Sequence, residues 1–592
     1  MNGGQAAQEP DRAGADGTRL SRRAALATTA GLTASVSGCV GRLRDLFTQR
    51  NIRQLSLTIT TLPADSDRES IRIANELEQA LTTVGIDVSF DVRSGTEFNR
   101  AVLYDHEFDI CIGRHPGGTD PDFLYEALHS LYIDESGWQN PFGYANLAVD
   151  DLLEKQRHAD GTERRDAVTN ALEAIATEQP FVPICVPEEH RVVSTDRVTG
   201  WADGHLATRS GYLGLEPTAD VETLRAVHTD SRPTKNLNPL AADYRGRGTI
   251  TQLLYDSLAT DDATGEIQPW LAESWERRGA TLDVHLRNGC TFHDGEPVTA
   301  ADVEFTYQFL ADMSGDDDDR VAPTPRFRGR IDAVEAIDVR DRDRLELTVD
   351  AGQAVGERAL LVPILPAHIW RERSASPMGL GGSVLSQGTT TAVVTNNVPP
   401  VGSGPYQFVA RSEGDQLTLE RFDDHFTLRS GVERPAPMVE TFSIDISPNS
   451  ETAIQAVEND TADVTSAALD TNLVESVDDD GTQQLLESPS WTFYYLGFNT
   501  RKAPFGNPRF RRVIARLLDK EWLVENVFYG HARPVATPVT EQWVPDTLTW
   551  DGQDPETPFL GANGEVDVDA ARAAFEDAGF RYDDRDRLRV RQ

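Results

Sequence analysis

The chain is almost devoid of lysine: of 56 basic residues only Lys155, Lys235, Lys502 and Lys520 are lysines, and the rest are arginine. Cysteine is as scarce, with Cys39, Cys111, Cys185 and Cys290 alone. There is no Cys-x-x-Cys pair and no cysteine–histidine cluster, so the pattern of a structural zinc site is missing, and no metal or cofactor is expected. Cys111 and Cys185 sit in the strand-like runs Phe-Asp-Ile-Cys-Ile and Val-Pro-Ile-Cys-Val, where they read as small buried hydrophobes. No stretch holds the 18 or so consecutive apolar residues that a helix needs to cross a bilayer core of about 30 Å. Enzyme signatures are missing too. No Gly-x-Ser-x-Gly elbow occurs, and Glu188-Glu189-His190 lacks the paired histidines of a zinc protease. With a net charge of −40 the surface repels phosphates, which argues against a nucleic-acid binder.

What the chain does have is carboxylate, length and a leader. Dense Asp and Glu with almost no lysine suit a protein working in concentrated salt, where self-repulsion is screened and carboxylates hold water. At 592 residues and 39% hydrophobic content, several lobes are expected. After a polar start come Ser21-Arg22-Arg23 and a weakly apolar run from Ala24 to Gly38, too short to span a membrane. It ends in Val36-Ser37-Gly38-Cys39, which resembles a lipobox, and the arginine pair resembles a twin-arginine export signal. Cys39 is therefore expected to carry a two-chain lipid, with 40–52 as a tether to the outer face of the cell membrane.

Along the folded part, 54–60 alternates as a half-buried strand, 68–83 places Ile71, Leu77 and Leu81 near one helical face, and Gly85 stops that helix. Strands at 88–92 and 108–112 follow, making a βαβ start and hence an α/β lobe with a largely parallel sheet. Helices are expected at 148–157 and 163–178 and a strand at 181–186, followed by a polar connector at 213–221. The sequence then restarts with a strand at 223–228, a helix at 250–258 and a strand at 281–286. Thr299 reads as the cap of a helix over 300–312, the acidic run at 314–320 as solvated surface, and 374–397 as a flexible loop. Strands recur at 405–410, 416–421 and 441–446, before helices at 508–529 and 567–578.

Several blocks resemble one family when taken together and in order. They are Tyr255-Asp-Ser-Leu with Ile267-Gln-Pro-Trp-Leu-Ala-Glu-Ser-Trp275, then Leu286-Arg-Asn-Gly and Phe292-His-Asp-Gly-Glu-Pro-Val-Thr-Ala-Ala-Asp-Val303. Leu365-Pro-Ala-His-Ile369, Pro400-Val-Gly-Ser-Gly-Pro-Tyr406 and Leu496-Gly-Phe-Asn-Thr500 follow. These are similar to the extracytoplasmic solute-binding proteins of family 5, which serve oligopeptide, dipeptide and nickel ABC importers. Residues 53–220 resemble the C-terminal third of that family, through Phe108-Asp109, Asp120-Pro121-Asp122 and Pro180-Phe-Val-Pro-Ile184. The family order is thus reversed. A circular permutation accounts for one complete copy without duplication; fusion of two gene fragments is the alternative. If the chain is permuted, residues 53 and 592 lie near each other, and the strand at 55–60 packs with the helix at 567–578.

The resemblance implies an α/β, two-lobed periplasmic-binding-protein-like (type II) fold with an extra subdomain, circularly permuted. The expected parts are a leader (1–38), a tether (39–52), part of the second lobe (53–186), a return to the first lobe with the connector (187–222), first lobe (223–265), inserted subdomain (266–397), first lobe again (398–490) and the rest of the second lobe (491–592). Hinge closure is expected near 186–188 and 488–491. The implied function is capture of a peptide or similar small polar ligand for delivery to ABC permease subunits by a monomer, and not enzymatic. A metal-chelate binder using His115 or His190, or a surface sensor, is the alternative. Ligand contacts are expected from Arg114, His115, Gly117, Gly118, Thr119 and Asp120, from Ala242, Asp243 and Tyr244, and from Asn499. In peptide-binding relatives an aspartate at the Gly117 position grips the ligand ammonium, and an aromatic platform stands where Arg114 or His115 falls. That exchange favours a ligand with an exposed acid, unless Arg114 only lines the lobe surface and backbone contacts do the work. His293-Asp294, inside Phe-His-Asp-Gly, reads as a satisfied turn.

Overall fold

In the computed structural model, which describes residues 52–201, 205–218, 221–241, 248–312, 326–374, 395–477, 481–488 and 490–591, local chemistry sets the element boundaries. Asp67 caps the helix Arg68–Thr83 by accepting from Ser70 N at 3.0 Å, and Gly85, with φ +89°, ends it. The buried face of this helix is carried by Ile73, Ala74, Leu77 and Leu81; Ile71 is only half-buried. Thr299 and Asp302 open the helix Ala300–Asp312, with Thr299 N and Oγ1 donating to Asp302 Oδ2 at 3.0 and 2.8 Å. Two expected helices are shorter than the sequence suggests. The one at 250–258 ends at Leu254 because Tyr255 is already extended and Asp256 turns inward to accept from Trp270 Nε1 at 2.6 Å. The one at 508–529 is two helices, Pro508–Ala515 and Lys520–Asn526, because Asp519 caps the second by accepting from Trp522 N at 3.0 Å.

Gln54–Val590 make one compact unit. Of the other unit, Met1–Arg53 with Arg591–Gln592, only residues 52, 53 and 591 are described. Within the larger unit two sheets define two lobes. The second-lobe sheet runs Ala532–Pro534, Phe181–Pro187, Phe493–Phe498, Ile110–His115, Ser56–Thr61, Asp87–Val92. Only the last three strands pair with one another in parallel, and the other neighbouring pairs are antiparallel, so the sheet is mixed rather than largely parallel. The first-lobe sheet runs Tyr406–Ser412, Gln416–Arg421, Thr441–Ile446, Thr223–His228, Val464–Thr465, Glu189–Ser194, Gln483–Ser488. A third, four-stranded antiparallel sheet, with strands Thr281–Leu286 and Arg344–Val349 at its centre, shares a continuous core with the first lobe through Trp270, Leu282, Leu345 and Trp370.

The chain changes sheets at two places. Glu188 is the single residue between the second-lobe strand Phe181–Pro187 and the first-lobe strand Glu189–Ser194, and 490–492 lead into Phe493–Phe498 on the return from Gln483–Ser488. Within the expected connector at 213–221, Leu213, Leu215 and Val221 are buried, Glu216 is exposed, and Glu216–Pro217 pairs with Val198–Thr199; residues 219 and 220 lie outside the described residues. Leu55, Leu57 and Ile59 share one core with Ala571 and Phe575, against which Ala574 and Phe580 also pack. Leu55 N donates to Leu588 O at 2.8 Å, and Leu588 N to Gly85 O at 2.9 Å. Gln592 and Cys39 lie outside the described residues, as do the acidic run at 314–320 and most of 374–397. Cys111, Cys185 and Cys290 are free and buried, and burial pushes the Cys111 thiol up to about 12.

Candidate functional site

Strand periodicity decides which residues reach the space between the lobes. Along Ile110–His115 side chains alternate faces, so Ile110 and Ile112 enter the core under the helix Arg68–Thr83, while Cys111 enters the opposite core with Phe493 and Tyr495. Arg114 falls on the helix side. Its Nε donates to Tyr494 Oη at 2.7 Å and stands 3.3 Å from Asp67 Oδ2, with the guanidinium over the Tyr494 ring at 5.0 Å. Tyr494 Oη in turn donates to Asp67 Oδ1 at 3.2 Å. Arg114 therefore ties a strand to a helix cap and, contrary to expectation, is not among the residues that line the inter-lobe cavity. His115, one residue on, does line it. The ring is buried among Phe123, Trp138 and Phe493, and Nδ1 accepts from Gly117 N at 3.0 Å.

The turn that follows is built on glycine. Gly117 has φ +59°, and a Cβ there would stand 1.9 Å from Trp491 O, in the segment that crosses between lobes. A side chain of any size at this position would meet that carbonyl. Gly118 and Thr119 continue the wall, and Thr119 Oγ1 accepts from Arg358 Nη2 at 3.2 Å across the cleft. Asp120 is committed to Arg164, which donates to both oxygens at 2.9 and 2.6 Å. Burial alone would raise its pKa, but Arg358 and Arg164 hold it below the usual carboxylate range.

These residues form one side of a cavity of about 250 Å³ between the lobes. The far side carries arginines that no sequence motif announced. Arg209 stacks over Trp270 at 4.1 Å and stands 3.7 Å from Asp256; burial lowers its pKa to about 10. Arg358 stands 3.7 Å from Asp261, at the cavity wall. Arg330 donates to Leu361 O at 3.1 Å, and among the described residues no carboxylate forms an ion pair with it. Burial and the neighbouring Arg358 lower its pKa. Further contacts hold the lobes together: Thr471 Oγ1 donates to Glu69 Oε1 at 2.9 Å, and Arg328 pairs with Glu135 at 3.3 Å.

Of the remaining expected contacts, Asn499 does not reach the cavity. It lies past the far end of Phe493–Phe498, with Nδ2 donating to His106 O and Phe108 O at 2.8 and 3.0 Å, and so closes a loop. Ala242, Asp243 and Tyr244 lie outside the described residues, although nearby Pro239 lines the cavity. His190 is on a crossing strand, away from the cavity lining. His293 bridges a turn, Nδ1 accepting from Gly402 N at 3.2 Å and Nε2 facing Gly404 O at 3.0 Å, as a satisfied turn residue should.

Two α/β lobes joined by two crossing segments, with an arginine-walled cavity between them, make an architecture of the solute-enclosing kind. Residues 266–591 match the model of the bacterial extracellular solute-binding proteins, family 5 (middle), and the chain belongs to that family. Among relatives, the probable ABC transporter periplasmic-binding protein SapA of Escherichia coli is 27% identical over 54% of this chain and 58% of its own. The oligopeptide-binding protein AppA of Bacillus subtilis is 23% identical over 48% and 47%. The chain spans about half the length of the curated relatives it matches. Among solved structures, Bacillus subtilis AppA in complex with a nonapeptide aligns at 18% identity over 62% of this chain and 66% of that one, with a TM-score of 0.44. Among the described residues no helix is long and apolar enough to cross a membrane.

Proposed function

We propose that this chain captures a small polar ligand with an exposed acidic group, a peptide or a similar anion, in the inter-lobe cavity and hands it to the permease of an ABC importer. It is read as a binding protein, not an enzyme. The observation that carries the ligand class is Arg330: a half-buried guanidinium at the cavity wall that donates to the neutral Leu361 carbonyl and stands over the Phe327 ring, with Arg358 as a neighbouring charge and Arg209 also on the cavity lining. A cation in that setting is stabilised most by a ligand carboxylate or phosphate. The family and the peptide-transport names of relatives such as SapA of Salmonella typhimurium support the solute class. Calorimetry with matched acidic and neutral peptides tests the reading. Arg330→Gln is expected to cost about 1.5–3 kcal/mol for acidic ligands, the range for a hydrogen bond to a charged group, and little for neutral ones. Arg114→Ala should leave affinity unchanged. Equal loss for both peptide classes would refute the assignment.

Two further readings belong here. Cys39 is the lipid-bearing residue, so Cys39→Ser should release the protein from membranes or leave it unprocessed; a variant that stays membrane-bound at mature mass would overturn this. The chain is also a circular permutant. The shared core of Leu55, Leu57, Ile59, Ala571 and Phe575 supports that reading, as does the strand Phe493–Phe498 lying between Ile110–His115 and Phe181–Pro187. A gene rearranged to run 222–591, a short linker, then 54–220 is expected to fold with the same cavity. Failure of that chain to fold, with 53–186 folding alone, would favour fragment fusion.

A further inference from the structure

The first crossing between the lobes carries a group of side chains that ligand capture does not use. Glu188 is the one residue between the two crossing strands, and its N donates to His531 O at 3.1 Å. His190 is the second residue of the first-lobe strand Glu189–Ser194, whereas His531 immediately precedes Ala532–Pro534, the edge strand of the second-lobe sheet. One ligand atom from each of Glu188, His190 and His531 lies within 4.8 Å of the other two. The imidazoles meet edge-on with centroids 4.9 Å apart, and Glu188 Oε2 stands 3.6 Å from His531 Nδ1. His190 is only 4% exposed. Among the described residues neither His190 Nδ1 nor His531 Nε2 has a hydrogen-bond partner. Buried ring nitrogens left bare cost free energy and need a reason, and an ion is one such reason.

We propose that Glu188, His190 and His531 bind a divalent zinc-class ion, with solvent completing the coordination on the open Glu188 side. Two imidazoles and one carboxylate suit borderline transition ions, not the all-oxygen shells of calcium or magnesium. Ligand distances of about 2.0–2.2 Å require the three donor atoms to close by roughly an ångström, which small side-chain rotations supply. Because His190 belongs to one lobe's sheet, His531 borders the other's and Glu188 joins them, the ion would fix the angle at the crossing. Metal binding and ligand closure would then be coupled, each altering the affinity of the other by the same factor. The site is separate from the cavity and does not depend on the ligand assignment above.

The test uses the full chain, stripped with chelator and titrated with Zn2+ alone, then with Co2+ as a visible-band probe. One ion per chain is expected, with a higher thermal midpoint and a cobalt d–d spectrum of mixed nitrogen and oxygen ligation. His190→Gln and His531→Gln, which keep side-chain volume, are expected to lower affinity at least a hundredfold and abolish the spectrum. Glu188→Gln, at a half-exposed position that should not disturb folding, is expected to lower it about tenfold. Sub-stoichiometric zinc binding by the unaltered chain would overturn the proposal. So would affinity and spectrum unchanged in both histidine variants, which would assign the ion to the acidic surface.

Discussion

Gly117 offers the sharpest test of how the cleft is built. Replacing it with alanine puts a Cβ on a backbone at φ +59°, which costs an L-residue about 1–2 kcal/mol. The added atom also falls 1.9 Å from Trp491 O and 3.0 Å from its carbonyl carbon, so relief must come from moving backbone. Either the 116–119 turn or the 490–492 crossing shifts by about an ångström. The first route strains the 3.0 Å bond from Gly117 N to His115 Nδ1, a net contribution of about 0.5–1.5 kcal/mol. Together the effects predict a loss of about 2–4 kcal/mol in stability, toward the upper end for single substitutions. Ligand affinity should fall with it, since the turn forms one wall of the cavity. Gly118→Ala is the control, because a Cβ there has neighbours no closer than 3.4 Å and φ is ordinary, and it should cost less than about 1 kcal/mol. Urea unfolding at fixed high salt, with calorimetry on the same samples, measures both. Equal stability of Gly117→Ala and wild type would refute the close approach of turn and crossing.

Acid should weaken the fold before carboxylates titrate. Burial lowers the pKa of His228 and His293 to about 4, and Nδ1 of each accepts a backbone N–H, from Asp230 at 2.9 Å and from Gly402 at 3.2 Å. With folded values below the unfolded 6.5, the unfolded chain binds more protons. The stability these groups contribute is present above about pH 6.5 and lost as pH falls toward 4; His293→Gln should flatten that slope in pH-dependent unfolding, and an unchanged slope would count against it. Lys520 pairs with Asp554 at 2.6 Å with both side chains almost wholly buried, and Nζ also donates to Val535 O at 2.9 Å. Asp554→Ala should cost about 3–5 kcal/mol by stranding a buried cation, and Lys520→Met with Asp554→Leu much less. At a net charge of −40, the thermal midpoint should fall steadily from multimolar to dilute salt; a flat midpoint would refute a salt-adapted surface.

Local signals carried much of the architecture because they depend on local physics. The helix Arg68–Thr83 and the strands Thr223–His228, Thr281–Leu286, Gln416–Arg421 and Thr441–Ile446 are bounded where apolar periodicity and caps place them. Where tertiary contact competes, the sequence misleads. Leu213 and Leu215 look like a connector because nothing local shows the core they enter. Asp519 looks like one more acidic residue inside a helix, and only its bonds to Trp522 N and Gly564 N reveal a cap.

The candidate site was legible on one side only. The turn from His115 to Asp120 follows a motif on a single strand and lines the cavity. Which of Arg114 and His115 faced inward depended on strand register, since neighbours point to opposite faces and a one-residue ambiguity reverses the chemistry. Asn499 matched a family block, yet it lies past the opposite end of the strand from Phe493, which pairs with His115. The opposing arginines, Arg209, Arg330 and Arg358, come from three short segments with no shared pattern, and they become one wall only because the inserted sheet and the first lobe share a core. The same holds at the crossing, where His190 and His531 are 341 positions apart and meet because Ala532–Pro534 pairs with Phe181–Pro187. Sites on one strand can be read from spacing; sites assembled across lobes depend on strand order, which spacing along the chain does not show.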